Sequence, residues 1–296
     1  MITFPCAKIN LGLNIVEKRI DGYHNLETVF YPIPLTDVIE ITEMHDEFPS
    51  DYKCNLNVMN IKIEGDTQSN LVVKAYNKLS QQYSLPRIHA HLYKRIPTQA
   101  GLGGGSSDCA FMIKALNDIA KLGLSDKEMI EIAATLGADC PFFIYNKPCY
   151  AEGIGEKLQP VSLSLSGMYI LIVHPNIPIS TKEAFSLIKP KPTTKKCLDI
   201  IKQPIETWRD ELVNDFEASV FVNHPQLDKI KQELYNLGAV YASMSGSGSS
   251  MYGLFYSPVD YGNLFEGMTT HMVALDRHLV PQIRQMAQKS QLKKWV

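Results

Sequence analysis

The chain has 296 residues, 45% of them hydrophobic and 20% charged, with a formal net charge of -2. That length and balance suit roughly two globular domains with a substantial core, and near-neutral charge excludes a global electrostatic drive toward nucleic acid or an anionic membrane. The six cysteines form no C-x-x-C pair and the eight histidines no metal-ligand spacing, so reduced core thiols of a cytoplasmic protein are expected, without disulfide framework or structural zinc. Met1 to Leu13 carries Pro5 and Lys8 and lacks the apolar core of a secretory signal, and no apolar run is long enough to span a bilayer.

The chain opens on a strand. From Ala7 to Val16, Ile9, Leu11, Leu13 and Ile15 alternate with Lys8, Asn10, Gly12 and Asn14, the period of a pleated segment with one apolar face. Lys8 and Asn10 project the same way, about 7 Å apart along the strand. Taken alone, Lys8 fits a surface lysine as readily as a functional one. Asp21-Gly22-Tyr23-His24 reads as a turn, and the polar stretch from Glu43 to Asn60 as a surface excursion or irregular hairpin. Leu71 to Leu79 is helix-like with Asn70 placed to cap it.

Next comes the most informative stretch. Ile88, Ala90 and Leu92 alternate with His89, His91 and Tyr93 as in a strand, and Pro97-Thr98-Gln99-Ala100-Gly101-Leu102-Gly103-Gly104-Gly105-Ser106-Ser107-Asp108 leads into an apolar helical pattern, Cys109 to Leu122. Glycine lets a phosphate approach the main chain, and the exposed N–H groups and dipole of a helix start favour an anion. The loop reads as a phosphate cradle. It lacks the Gly-Lys-Ser/Thr ending of a Walker A loop, and Ser106 occupies the third-glycine position of the dinucleotide fingerprint. Ser106 and Ser107 can cap the helix or contact phosphate. Asp108 suits the helix dipole but would repel a bound phosphate, so it must turn away or face a metal ion.

Ser125 and Glu128 make a capping-box pair, and Gly137 supplies a helix stop. Asp139 follows it, just before a strand-like run, Cys140 to Tyr145. An aspartate there is commonly a turn residue, yet a carboxylate among apolar neighbours also calls for a cation, and Lys8 could be that cation. The character shifts at Gly153-Ile154-Gly155-Glu156, so we expect an N-terminal domain over 1–155 and a C-terminal domain over 156–296. The second half holds a buried-looking strand from Met168 to Val173, a Pro- and Lys-rich connector from Lys189 to Lys196, and a helix face of Leu227, Ile230, Leu234 and Leu237 closed by Gly238. Then Val240 to Met244 and Ser249 to Phe255 flank Ser245-Gly246-Ser247-Gly248, a second glycine turn that suits either a plain hairpin or closure over a ligand. Strands and helices mix without regular βαβ alternation, which favours an α+β chain of two domains.

These elements, in this order, resemble the GHMP kinase superfamily over roughly residues 5 to 255. Pro5-Cys6-Ala7-Lys8-Ile9-Asn10-Leu11 with Arg19-Ile20-Asp21-Gly22-Tyr23-His24 matches the opening signature of the branch acting on a cytidine diphosphate ester of methylerythritol in non-mevalonate isoprenoid synthesis. Pro97 to Ala110, Gly137 to Phe143, Gly153 to Glu156 and Met244 to Ser249 match later motifs. Cys109 stands where alanine is usual, Ser250 where a small apolar residue is, and the tail after Phe255 is unfamiliar. The resemblance implies an N-terminal domain like the second domain of ribosomal protein S5, binding ATP with Mg²⁺, and a ferredoxin-like C-terminal domain on the substrate side. It implies Lys8 and Asp139 as the catalytic pair and Pro97 to Ser107 as the phosphate loop. Asn70 and Lys94 fall on the adenosine side, Asn10 on the erythritol part, and Tyr23 and His24 at the cytidine end, with Phe185 stacking on cytosine from the other side. Partners would be small molecules, with monomer and weak dimer both open. Rival readings are a homoserine- or mevalonate-type kinase, which Asp21-Gly22-Tyr23-His24 disfavours, an RNA-binding module, which the charge disfavours, and an inactive sensor, which retention of Lys8 and Asp139 disfavours.

Overall fold

The structure is a computed structural model that describes residues 1–61, 65–193 and 195–276. The basic tail residues Lys289, Lys293, Lys294 and Trp295 lie outside the described residues. In chain order, the first half contains β1 (Ile2–Thr3), β2 (Cys6–Lys18), β3 (His24–Thr36), β4 (Val38–Glu43), β5 (Cys54–Met59), α1 (Leu71–Ser80), β6 (Ile88–Tyr93), α2 (Gly104–Ile119), α3 (Asp126–Ala134), α4 (Cys140–Tyr145) and β7 (Cys149–Gly153). The second contains β8 (Lys157–Pro160), β9 (Tyr169–His174), α5 (Thr181–Phe185), α6 (Cys197–Ile200), α7 (Trp208–Glu211), α8 (Asp215–Asn223), α9 (Pro225–Asn236), β10 (Tyr241–Met244), β11 (Met251–Phe255) and β12 (Thr269–Ala274).

Three four-stranded sheets organise these elements, in the orders β1-β4-β6-β5, β2-β3-β7-β8 and β10-β11-β9-β12. All the pairings are antiparallel except β5 with β6. The first sheet packs on α1 to α4 around Leu92, Ala110, Met112, Ile113 and Phe142, where a fully buried large apolar side chain contributes roughly 1.5–3 kcal/mol. A second cluster joins the halves: Ile9 and Leu11 of β2 meet Ile170 and Ile172 of β9, Trp208 of α7 and Tyr252 of β11. The expected boundary at 155/156 falls inside the β7–β8 hairpin, whose second strand still belongs to the sheet of β2.

The alternation in β2 thus has a tertiary meaning. Its apolar stripe packs on the C-terminal half, and Lys8 and Asn10 on the opposite face are only 4% and 2% exposed. Gly12 makes a bulge there with φ +65, where an added Cβ would meet Leu212 Cδ1 at 2.6 Å.

Two sequence readings are corrected. Cys140–Tyr145 is a helix, not a strand, with all residues but Tyr145 buried. A short, almost wholly buried run carries no periodicity to separate the two forms, and Pro141 in the first turn, which favours a helix start, is the clue that was present. Within the supposed polar excursion, Cys54–Met59 is a strand lying parallel to β6, with Cys54 and Leu56 buried. The helix after the glycine loop also starts earlier than its apolar pattern, at Gly104.

Candidate active site

A cavity of about 870 Å³ opens between the halves, with Lys8, Asn10, Tyr23, His24, Gly101, Gly103, Asp139 and Phe185 in its wall. Residues scattered from β2 to α5 meet there. Pro97 to Ala100, Leu102, Gly104 to Ser107, Asn70 and Lys94 are not part of that wall.

The backbone of the glycine loop is tied to β2: the Lys8 N–H donates to Leu102 O at 2.9 Å, and Lys8 Nζ donates to Gly101 O at 2.9 Å. Gly101 and Gly103 have φ +75 and +71, a region glycine enters without strain. An added Cβ at Gly101 would lie 1.9 Å from Ser245 O, because the second glycine turn packs directly on the first. Ser245 Oγ donates to Gly101 O at 2.8 Å, and Asn214 Nδ2 holds Gly246 O at 2.9 Å. Asn214 is a contributor the sequence reading missed. Its local pattern is that of a helix cap, its Oδ1 accepting from the Phe216 N–H at the start of α8, and nothing local tied it to the glycine turn.

At the N-terminus of α2, the capping residue is Gly103 and no side chain caps the helix. Neither Ser106 nor Ser107 fills that role, so the first-turn N–H groups remain for an anion, as a polyphosphate requires. Ser107 Oγ is buried with no partner among the described residues. Asp108 turns away into the core, where Lys94 donates to its Oδ2 at 2.7 Å. Lys94 itself is 1% exposed, its amine shared between Asp37 and Asp108. Asn70 caps α1 by accepting from the Val72 N–H at 2.9 Å, and Leu71 beside it lies 3.9 Å from where a Gly105 Cβ would stand.

Lys8 Nζ also donates to Asn10 Oδ1 at 2.6 Å and lies 3.9 Å from Asp139 Oδ2. Burial pulls the Lys8 pKa down from the ordinary lysine value, and the Asp139 charge opposes that shift. The Phe30 ring sits 5.2 Å below the amine. Asn10 is oriented by Thr28: its amide donates to Thr28 Oγ1 at 3.0 Å, and that hydroxyl donates to Gly12 O. Asp139 occupies the N-cap position of α4 with its side chain 35% exposed, so the carboxylate reaches the cavity while the amine stays buried.

At the far end, the His24 and Phe185 rings stack on each other, centroids 4.4 Å apart and 15° from parallel. The two expected base contacts occupy each other's faces, so a base between them would have to part them. Phe216 braces Phe185 edge-on at 4.8 Å. Tyr23 is exposed at the rim. Partial burial, with the Lys18 charge adding, lowers the His24 pKa.

Among the described residues, no three His, Cys, Asp or Glu groups converge as metal ligands, and no helix is long and apolar enough to cross a membrane. The six cysteines are buried and form no disulfide among the described residues.

Residues 70–147 match the family of GHMP kinases N terminal domains, and residues 197–274 the GHMP kinases C terminal family. The chain is 55% identical over 255 residues to a Bacteroides fragilis protein named 4-diphosphocytidyl-2-C-methyl-D-erythritol kinase, covering 86% of this chain and 92% of that one. A Parabacteroides distasonis protein of the same name is 49% identical over 261 residues, covering 88% and 94%. Among solved structures, a 4-(cytidine 5'-diphospho)-2C-methyl-D-erythritol kinase superposes with a TM-score of 0.74 at 26% identity, covering 93% of this chain and 99% of that one. The Methanococcus jannaschii mevalonate kinase has a TM-score of 0.64 at 15% identity, covering 93% and 98%, and shares the fold. With both GHMP kinase domains matched and 49–55% identity to these two relatives, the chain belongs to the GHMP kinases, within the 4-diphosphocytidyl-2-C-methyl-D-erythritol kinase family.

Proposed function

We infer that this chain transfers the γ-phosphoryl group of ATP to the C2 hydroxyl of 4-diphosphocytidyl-2-C-methyl-D-erythritol, giving the 2-phosphate and ADP. The new bond joins the C2 oxygen to the γ-phosphorus. The bond from that phosphorus to the β–γ bridging oxygen breaks, and the hydroxyl proton passes to the Asp139 carboxylate. The observation that carries the reading is the approach of Lys8 to Asp139 in one cavity wall with Gly101 and Gly103.

A loose phosphoryl transition state asks chiefly for alignment and charge neutralisation. The uncapped start of α2 supports a role for the loop from Pro97 to Ser107 in holding the polyphosphate by main-chain N–H groups. Asp139 would orient the hydroxyl and accept its proton. Lys8, held by Asn10 and Gly101 O, would offset negative charge at Asp139 and near the nucleophile. Asn10 would meet the erythritol part, and Tyr23, His24 and Phe185 the cytidine end. Asn70 and the Lys94 segment would border the adenosine. In this reading residues 1–155 form chiefly the ATP side and residues 156–296 part of the substrate side. The fit to Mg²⁺ rests on Ser107, whose buried hydroxyl has no partner among the described residues; that hydroxyl and phosphate oxygens would hold the ion. Mg²⁺ would neutralise charge on the transferring group. Well-oriented reactants can account for ~7–11 kcal/mol of barrier lowering.

A coupled ADP-release assay tests the reading with the cytidine diphosphate substrate, homoserine, mevalonate and galactose side by side. Turnover confined to the cytidine substrate is expected. Faster turnover of another alcohol, or none with any, would overturn it.

A further inference from the structure

Outside the cavity, three charged side chains share one buried site at the root of the glycine loop. Lys94 follows β6 and is 1% exposed, Asp37 joins β3 to β4 and is 0% exposed, and Asp108 lies in α2 and is 2% exposed. Lys94 Nζ donates to Asp37 Oδ2 and, at 2.7 Å, to Asp108 Oδ2. The second oxygen of Asp37 accepts from the Arg95 and Ile96 N–H groups at 2.5 and 2.8 Å. A Cβ added at Gly104 would come within 3.2 Å of Lys94 Nζ and 2.9 Å of Ile96 Cγ2.

The positions matter more than the count of charges. Residues 94–96 carry the chain into the glycine loop, and residues 104–108 carry it out into α2. Asp37 grips the entry through two backbone N–H groups, and Lys94 links that grip to the exit. Burial, with the Asp37 charge adding and Lys94 opposing, pushes the Asp108 carboxyl up to about 8. The Asp108 carboxyl group faces Lys94 and the core, not an anion on the helix start. Charge-assisted hydrogen bonds in a dry site are geometrically demanding, and donors held in place before an anion arrives stabilise it without reorganising. Stability alone is a weak explanation, because buried ion groups can be replaced by apolar ones at little loss.

We propose that Asp37, Lys94 and Asp108 form a buried clamp that sets the spacing of the phosphate-binding backbone, with Lys94 a positioning residue whose ammonium touches no substrate. The proposal rests on the kinase reading above and deepens it. It separates the clamp's effect by substrate: the ATP side depends on it, and the cytidine side, built on β2, β3 and α5, does not.

The test compares full-length wild type, Lys94→Met, Asp108→Ala and Asp108→Asn, using direct binding of the fluorescent probe mant-ATP, KM for each substrate, and thermal unfolding. Lys94→Met is expected to weaken mant-ATP binding and raise KM for ATP about tenfold, the scale of one lost charged contact, with KM for the cytidine substrate within about twofold. Asp108→Ala leaves the Asp37–Lys94 pair intact, so it keeps the test open should Lys94→Met not fold; it should weaken mant-ATP binding about fivefold. Asp108→Asn retains an acceptor for Lys94 and should restore binding to within about twofold of wild type. A folded Lys94→Met or Asp108→Ala with wild-type mant-ATP affinity, or an equal rise in both KM values, would overturn the clamp. Wild type that binds mant-ATP but leaves the cytidine substrate untouched would instead sink the functional reading, while binding still reports on the clamp.

Discussion

Lys8 Nζ and Asp139 Oδ2 stand 3.9 Å apart, near enough for their charges to couple and too far for a direct hydrogen bond. The amine gives its hydrogen bonds to neutral acceptors, Asn10 Oδ1 and Gly101 O. Asp139 thus keeps lone pairs for an incoming hydroxyl. Asp139→Asn is isosteric but a poor proton acceptor, so kcat should fall about 10²–10⁴-fold, with KM for ATP near wild type. Wild-type turnover in the coupled assay would remove Asp139 from its role.

Lys8→Met should separate activity from stability. The folded pKa of Lys8 lies below its unfolded value of 10.5, chiefly through burial. The protonated amine therefore opposes folding at pH values below the folded pKa, and stability rises with pH between that value and 10.5. Removing the charge should lower kcat as severely as Asp139→Asn while leaving Tm at neutral pH equal to or above wild type. A clearly lower Tm would contradict this account.

The same depression sets the alkaline side of the rate profile. If the charged amine assists transfer, kcat/KM should decline at pH values below the ordinary lysine range, as Lys8 loses its proton. The residual rate of Lys8→Met should lack that limb. Persistence of the limb in the variant would assign it elsewhere.

Phe185→Ala removes one ring of the pair facing His24 at 4.4 Å. Base stacking is worth roughly 1–3 kcal/mol, so KM for the cytidine substrate should rise ~5–150-fold while KM for ATP stays within about twofold. Steady-state kinetics with each substrate varied in turn decides it. Equal changes in both constants would contradict the placement.

Two glycines in one loop should respond oppositely to alanine. Gly101→Ala drives a Cβ to 1.9 Å from Ser245 O at φ +75, so thermal melts should show a large loss of stability. At Gly105 the nearest atom is Leu71 Cδ1 at 3.9 Å, and alanine within a helix gains roughly 0.5–1 kcal/mol over glycine. Gly105→Ala should melt no lower than wild type yet raise KM for ATP if phosphate lies against that backbone. An unchanged KM would move the phosphates away from Gly105.

Local features of the fold were legible where a segment's own residues set its form. Ser125 and Glu128 make the capping box, with the Glu128 N–H on Ser125 Oγ and Glu128 Oε2 on the Ser125 N–H. Asn70 caps α1. β5 was hidden although Cys54, Leu56 and Val58 alternate with Asn55, Asn57 and Met59, because the charged residues before it outweighed a short period-2 pattern.

Spacing along the chain determined which way each side chain leaves its own element. It put Lys8 and Asn10 on one face of a strand, glycines between strand and helix, and Asp139 ahead of a buried segment. Which partner each side chain meets was decided only by tertiary packing, since burial demands compensation but does not name the compensating group. Lys8 shares Asp139 with the solvent-facing cavity, and Lys94, placed on the adenosine side by the resemblance alone, gives its ammonium to Asp37 and Asp108. Those pairings depend on sheet register and helix docking over long separations, which no local pattern encodes.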